Sequence, residues 1–174
     1  AGGAQGRAAR TRGGALAGGA TPIRHASGSD RPRAAMSAPT SLPMEIHRSA
    51  GLGELQKVVK WLRKGGPVGA FCPSTTASGR PVTETLLHAA ATNDHLAMVK
   101  ELLKRGASVD LPNSLGGTAL MHAAFHGYLS IVLVLLQHSA NPDLQDIDGD
   151  TALMGAADEG HEACMKALLR AKAN

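Results

Sequence analysis

The chain has 174 residues, room for one domain with a tail, and its net charge of +4 and pI near 9.4 raise the question of nucleic-acid binding. That charge is confined: residues 1–43 carry six arginines against one acid, Asp30, while residues 44–174 carry 12 basic and 13 acidic side chains. The body therefore has no basic stripe to track phosphates, which argues against a nucleic-acid partner there, and no apolar run approaches the roughly 18 residues of a membrane-spanning helix.

Residues 1–43 are dominated by Gly, Ala, Arg, Ser and Pro. Such a segment has too little apolar surface to offset the entropy of ordering and is expected to be a disordered tail. Three meanings stay open for it: an Arg-rich organellar transit peptide, an RNA contact at Arg12-Gly13-Gly14, or a solvated tail or translated leader ahead of Met36 or Met44. The two cysteines, Cys72 and Cys164, cannot form a disulfide framework, which fits an intracellular location in the cytoplasm or nucleus.

From Met44 onward the chain repeats itself. Thr85, Thr118 and Thr151 are 33 residues apart, as are the pairs Ala90-Ala91, Ala123-Ala124 and Ala156-Ala157, and the pairs Leu102-Leu103, Leu135-Leu136 and Leu168-Leu169. A fixed period of this size marks a stacked solenoid, in which no single unit buries its own apolar face. The first unit, 44–84, is degenerate: His47, Gly53 and Trp61-Leu62 align with His88, Asp94 and Leu102-Leu103 at an offset of 41. The excess over 33 lies in an insertion at 68–81, which is expected to be a mobile loop carrying Phe71 and Cys72. A helix over 54–64 turns Leu55, Val58, Val59 and Leu62 inward and Gln56, Lys57, Lys60 and Lys64 outward, as an N-terminal cap should.

The second unit, 85–117, shows the local logic. Thr85 is an N-cap, and Ala89, Ala90 and Ala91 let the helix over 86–93 approach its neighbour. Asp94 holds the left-handed position filled later by Gly127 and Gly160. A second helix over 96–104 buries Leu96, Met98 or Val99, Leu102 and Leu103 before Gly106 stops it. Pro112, Asn113 and Gly116-Gly117 then build an extended turn. Units 118–150 and 151–174 repeat the plan. In the last, Met165, Leu168 and Leu169 are still apolar, so the chain is expected to continue into another unit.

These motifs resemble the ankyrin repeat. Thr85-Leu86-Leu87-His88-Ala89-Ala90-Ala91 and Gly106-Ala107-Ser108-Val109-Asp110 follow that family's pattern, with Thr118-Ala119-Leu120, Thr151-Ala152-Leu153 and Gly160-His161. The family's Pro is replaced by Leu86, Ala119 and Ala152, and its His by Met121 and Met154, which should cost a local hydrogen bond. The resemblance implies an all-α solenoid with extended turn fingers, monomeric, binding a protein or peptide on its concave face without catalysis or cofactors. An alternative is the regulatory segment of a larger enzyme; a weaker one is nucleic-acid contact through the tail.

Candidate chemistry is thin. His122 and His126 have helical spacing for a metal, but Ala123 stands where a zinc protease needs Glu, so both read as partly exposed polar residues. Asp146, Asp148 and Asp150 fail the calcium-loop pattern at Thr151 and Ala157. Cys164 falls on a core position; Cys72, in the insertion, is a candidate exposed thiol. The binding surface implied by the resemblance comprises Thr92, Asn93, Phe125, His126, Asp158 and Glu159 on the first helices, with Tyr128 flanking Phe125. Leu115, Asp146, Ile147 and Asp148 form its rim, with Asn113, Ser114 and Asp150 beside them. Phe125 is its expected anchor.

Overall fold

The threonines that punctuate the sequence start the inner helices of a two-layer stack. In the computed structural model, which describes residues 42–76 and 78–171, each unit is a helix, a tight turn and an antiparallel second helix. The tail expected to be disordered lies, up to residue 41, outside the described residues. The pairs are α1 (Met44–Gly51) with α2 (Leu55–Arg63), α3 (Leu86–Thr92) with α4 (Leu96–Lys104), α5 (Ala119–Phe125) with α6 (Leu129–Gln137), and α7 (Ala152–Asp158) with α8 (Glu162–Arg170). The helices α1, α3, α5 and α7 stack as the inner layer, and α4, α6 and α8 stack behind them.

Thr85, Thr118 and Thr151 sit at the N-caps with extended backbone. The hydroxyl of Thr118 accepts from the Met121 N–H and that of Thr151 from the Met154 N–H, each at 3.3 Å. Each satisfies one of the free donors of a first helical turn. After the C-terminal ends of all four inner helices Gly53, Asp94, Gly127 and Gly160 have positive φ, Asp94 at 58° in the place the sequence assigns it.

Small residues set the spacing of the inner layer: Ala50, Ala90, Ala91, Ala123, Ala124 and Ala156 are fully buried. The second layer carries the bulk. Leu102, Leu135 and Leu168 occupy equivalent positions and each is 0% exposed; cutting any one to Ala should cost about 2–5 kcal/mol. In α2 the expected face is present, with Val58 and Val59 buried and Gln56, Lys57 and Lys60 exposed. In α8 only part of the expected apolar face is open: Leu168 is buried, Met165 half-buried and Leu169 55% exposed.

The insertion departs from the expected mobile loop. Strands β1 (Cys72–Thr75) and β2 (Pro81–Glu84) form an antiparallel hairpin, Cys72 opposite Glu84 and Thr75 opposite Pro81. Its prolines, Pro73 and Pro81, fall opposite Thr83 and Thr75, and Thr83 directs its own bonds away from β1. The Thr83 N–H donates to Ser114 Oγ at 2.9 Å and the Ser114 N–H donates to the Thr83 carbonyl at 3.3 Å. Prolines are tolerated at such positions because the ladder needs no N–H there. The hairpin is thereby tied to the finger of the second unit. It also buries Cys72, which is 0% exposed rather than a surface thiol.

Candidate functional site

The inner helices, the fingers and the hairpin enclose a groove of about 710 Å³. Its floor follows from the repeat. Arg48, Ala89, His122 and Gly155 hold equivalent positions in successive units and line the groove side by side, as do Gly51, Thr92, Phe125 and Asp158. One wall comes from Ser74, Thr75, Thr76 and Glu84 of the hairpin, and the fingers add Asn113, Leu115, Asp146 and Asp150.

Of the residues singled out by sequence, Thr92, Asn93, Leu115, Phe125, His126, Asp146 and Asp158 line this groove. Phe125 is 46% exposed, and its ring meets that of His126 edge-on at 5.2 Å. Tyr128 does not line the groove; it stacks on His126 from the start of α6, ring centroids 5.6 Å apart. Ile147 is 58% exposed at a finger tip, its N–H donating to the Leu115 carbonyl at 3.0 Å. Asp148 faces Arg80 of the hairpin at 3.7 Å, and Glu159 is exposed at the end of α7.

Beneath the groove runs a polar network that the spacing of the motifs does not announce. The His88 ring is buried, and its Nε2 is 3.0 Å from the Gly117 carbonyl, which can only accept. The proton therefore sits on Nε2, leaving Nδ1 to accept from the Thr85 N–H at 3.3 Å and the Thr85 hydroxyl at 2.8 Å. Asn113, also buried, accepts on Oδ1 from the N–H groups of Leu115 and Gly117 at 2.8 and 2.9 Å. That fixes its amide, so Nδ2 donates to His122 Nε2 at 3.2 Å. Two imidazoles of opposite tautomer thus meet edge-on at 5.7 Å.

Burial disfavours charge on both rings. His88 is pushed down to about 3, by desolvation first and the nearby His122 second; His122 is pushed down to about 4, by desolvation and then His126. Both are neutral at neutral pH. At the hairpin end His47 Nε2 lies 3.7 Å from Glu84 Oε2 and makes no hydrogen bond among the described residues. Desolvation lowers the His47 pKa and raises that of Glu84, so the contact is a weak polar one.

Met121 corrects one expectation. Its sulfur accepts from the Thr118 N–H at 3.4 Å, replacing the hydrogen bond that His88 makes to Thr85. His122 is partly exposed on the groove floor, as expected, with its Nε2 taken up by Asn113. Among the described residues no three His, Cys, Asp or Glu side chains are grouped to hold a metal ion, and no helix is long and apolar enough to cross a membrane. Both cysteines are free and buried, and burial pushes their thiols up.

Comparison with known proteins agrees with this geometry. The profile described as ankyrin repeats (three copies) matches residues 46–146 and 87–174. No individual curated protein matches the chain, so the family profile carries the assignment. Repeats of this kind generally serve as protein–protein interaction modules and are typically non-catalytic. The match spans most of the chain and coincides with the stacked helix pairs: the chain belongs to the ankyrin-repeat family.

Proposed function

We propose that this chain is a scaffold or adaptor module inside the cell, cytoplasmic or nuclear, that binds a protein or peptide partner in the groove and catalyses nothing itself. The observation that carries this is Phe125, a large aromatic left 46% exposed on the floor of a concave surface. Buried aromatic anchors supply most of the energy of typical interfaces. The groove also runs across four successive units, an arrangement suited to an extended segment. Of the histidines on its floor, His122 is taken up by the bond from Asn113 and is neutral at neutral pH, and neither cysteine lines the groove as a nucleophile for it to activate. Nothing in the stack calls for self-association, and we take the chain as a monomer.

The test is a cross-linking pull-down from cell extract with the full chain beside its Phe125→Ala variant, both first shown to be equally helical by circular dichroism. A protein lost selectively from the variant is the expected result. Identical catches would sink the assignment of the groove.

A further inference from the structure

The groove is lopsided in charge. Among the described residues Arg48, in the first unit, is the one Lys or Arg that lines it, with Glu84 of the hairpin at the same end, whereas Asp146, Asp150 and Asp158 line the opposite end. One oxygen of Asp146 is engaged by the N–H groups of Asp148 and Asp150. Among the described residues neither Asp150 nor Asp158 forms a salt bridge or a side-chain hydrogen bond. Two carboxylates without counter-charges among the described residues, one before the start of α7 and one at its end, therefore line the same groove as an exposed aromatic ring.

Gly155 is the second observation. It lies inside α7, where glycine weakens a helix relative to alanine. Its backbone does not require glycine, since its φ is ordinary, and a Cβ there would meet Phe125 at 3.8 Å, ordinary van der Waals contact. Folding alone gives no reason for a bare position. What the missing side chain does provide is open space on the groove floor between Phe125 and the helix that carries Asp158.

We propose that the groove takes an extended partner segment bearing an arginine, whose guanidinium lies on the Phe125 ring above Gly155 with Asp150 and Asp158 as its counter-charges. This rests on the protein-binding role proposed above. Arginine fits better than lysine because its planar, weakly hydrated head stacks on an aromatic face while its forked donors reach carboxylates. An acidic or phosphorylated segment would meet repulsion at this end of the groove, as would a nucleic-acid backbone.

The experiment is to pan a random dodecapeptide display library over the full chain, then measure enriched synthetic peptides by fluorescence anisotropy against variants. Enriched peptides should share an arginine. Binding should weaken about tenfold or more on Asp150→Asn/Asp158→Asn, as expected for loss of charge-assisted bonds. Gly155→Ala should weaken binding too, yet raise the melting temperature, so that damage to the fold is not the explanation. Exchanging the peptide arginine for lysine should also weaken binding. Peptides that lose binding on Phe125→Ala but carry no basic residue would overturn the arginine site while leaving the protein-binding role intact. Recovery of no peptide, or of peptides indifferent to Phe125→Ala, would overturn both. A labelled single-stranded oligonucleotide bound through Phe125, or dimers dissociated by Phe125→Ala, would overturn the arginine site in favour of that occupant.

Discussion

The imidazole of His161 lies so close over Gly127 that a Cβ built on the glycine would come within 2.6 Å of the ring. The first two units repeat the arrangement: a Cβ on Gly53 would come within 2.8 Å of His95, whose Nε2 donates to the Gly51 carbonyl at 2.8 Å. Between them the equivalent pair is Asp94 and Tyr128. Asp94 already carries a Cβ, and Tyr128 stacks on His126 within its own unit instead. The glycines at these turns thus serve two ends, a left-handed backbone and room for the histidine of the next unit.

Comparing two glycines separates those ends. Gly127 and Gly160 both have positive φ, 74° and 71°, but only Gly127 has a neighbour within reach of an added Cβ. Gly160→Ala should cost about 1–2 kcal/mol, the left-handed penalty alone. Gly127→Ala should cost at least about 1 kcal/mol more, because the ring must also move. Urea denaturation of both variants checks this, and equal costs would show that the His161 contact carries no energy.

Stability should fall in mild acid. His88 and His122 have native pKa values of about 3 and about 4 against an ordinary value near 6.5. Between those limits the unfolded chain binds protons that the native chain refuses, so stability rises with pH. It is complete above pH 6.5 and declines as pH drops toward about 4, each ring contributing up to about 1.4 kcal/mol per pH unit. His47 acts in the same direction, while Glu84, raised by burial, adds an opposing slope above its ordinary value of 4.5. His88→Met, which copies Met121 and Met154, should remove about half of the histidine slope in denaturation curves taken from pH 4 to 7. An unchanged slope would mean that His88 is already charged in the native state.

The legible parts of this chain are local in sequence. Thr85, Thr118 and Thr151 announce helix starts because the N-cap bond spans three residues, and Asp94 announces a left-handed turn by its alignment with Gly127 and Gly160. The hairpin was hidden because its pairing joins Cys72 to Glu84 across two prolines that read locally as breakers, and its outer edge pairs with Ser114, 31 residues from Thr83. The bond between Asn113 and His122 was hidden for a similar reason, since no short-range rule links a finger to the next helix. Within the candidate groove, position in the repeat placed Phe125 and Asp158 on the floor. The same alignment could not foresee that Tyr128 would stack on His126 rather than line the groove.

Ser139 occupies the helix-ending position held in the two preceding units by Gly65 and Gly106, and takes a φ of 63° there. Serine has no relief for that conformation comparable to glycine's. Ser139→Gly should therefore stabilise the chain by about 0.5–1 kcal/mol, the left-handed penalty less the added entropy of the unfolded glycine. The side chain is exposed, so no packing is lost. A melting temperature that stays level or falls would show that the strain is absorbed elsewhere in the turn.

Asn113 and Asp146 are equivalent residues with one shared task and one difference. Asp146 Oδ1 accepts from the N–H groups of Asp148 and Asp150 at 3.0 and 2.9 Å, as Asn113 Oδ1 does from Leu115 and Gly117. Only Asn113 also donates, to His122 Nε2 at 3.2 Å. Asn113→Asp should keep the turn, because its twin already folds with a carboxylate. The donor to His122, however, becomes an acceptor carrying charge. An acceptor facing an acceptor is unfavourable, and the ring can resolve this by moving or taking its proton to Nε2, or by holding two protons against the carboxylate. The His122 pKa should rise from about 4, readable from its ring proton shifts by NMR titration. Stability at neutral pH should fall by about 1–3 kcal/mol through the lost buried bond, and the loss should shrink as pH is lowered and the ring becomes charged. A His122 that still titrates near its present value in the variant would show that the amide of Asn113 does not control the ring.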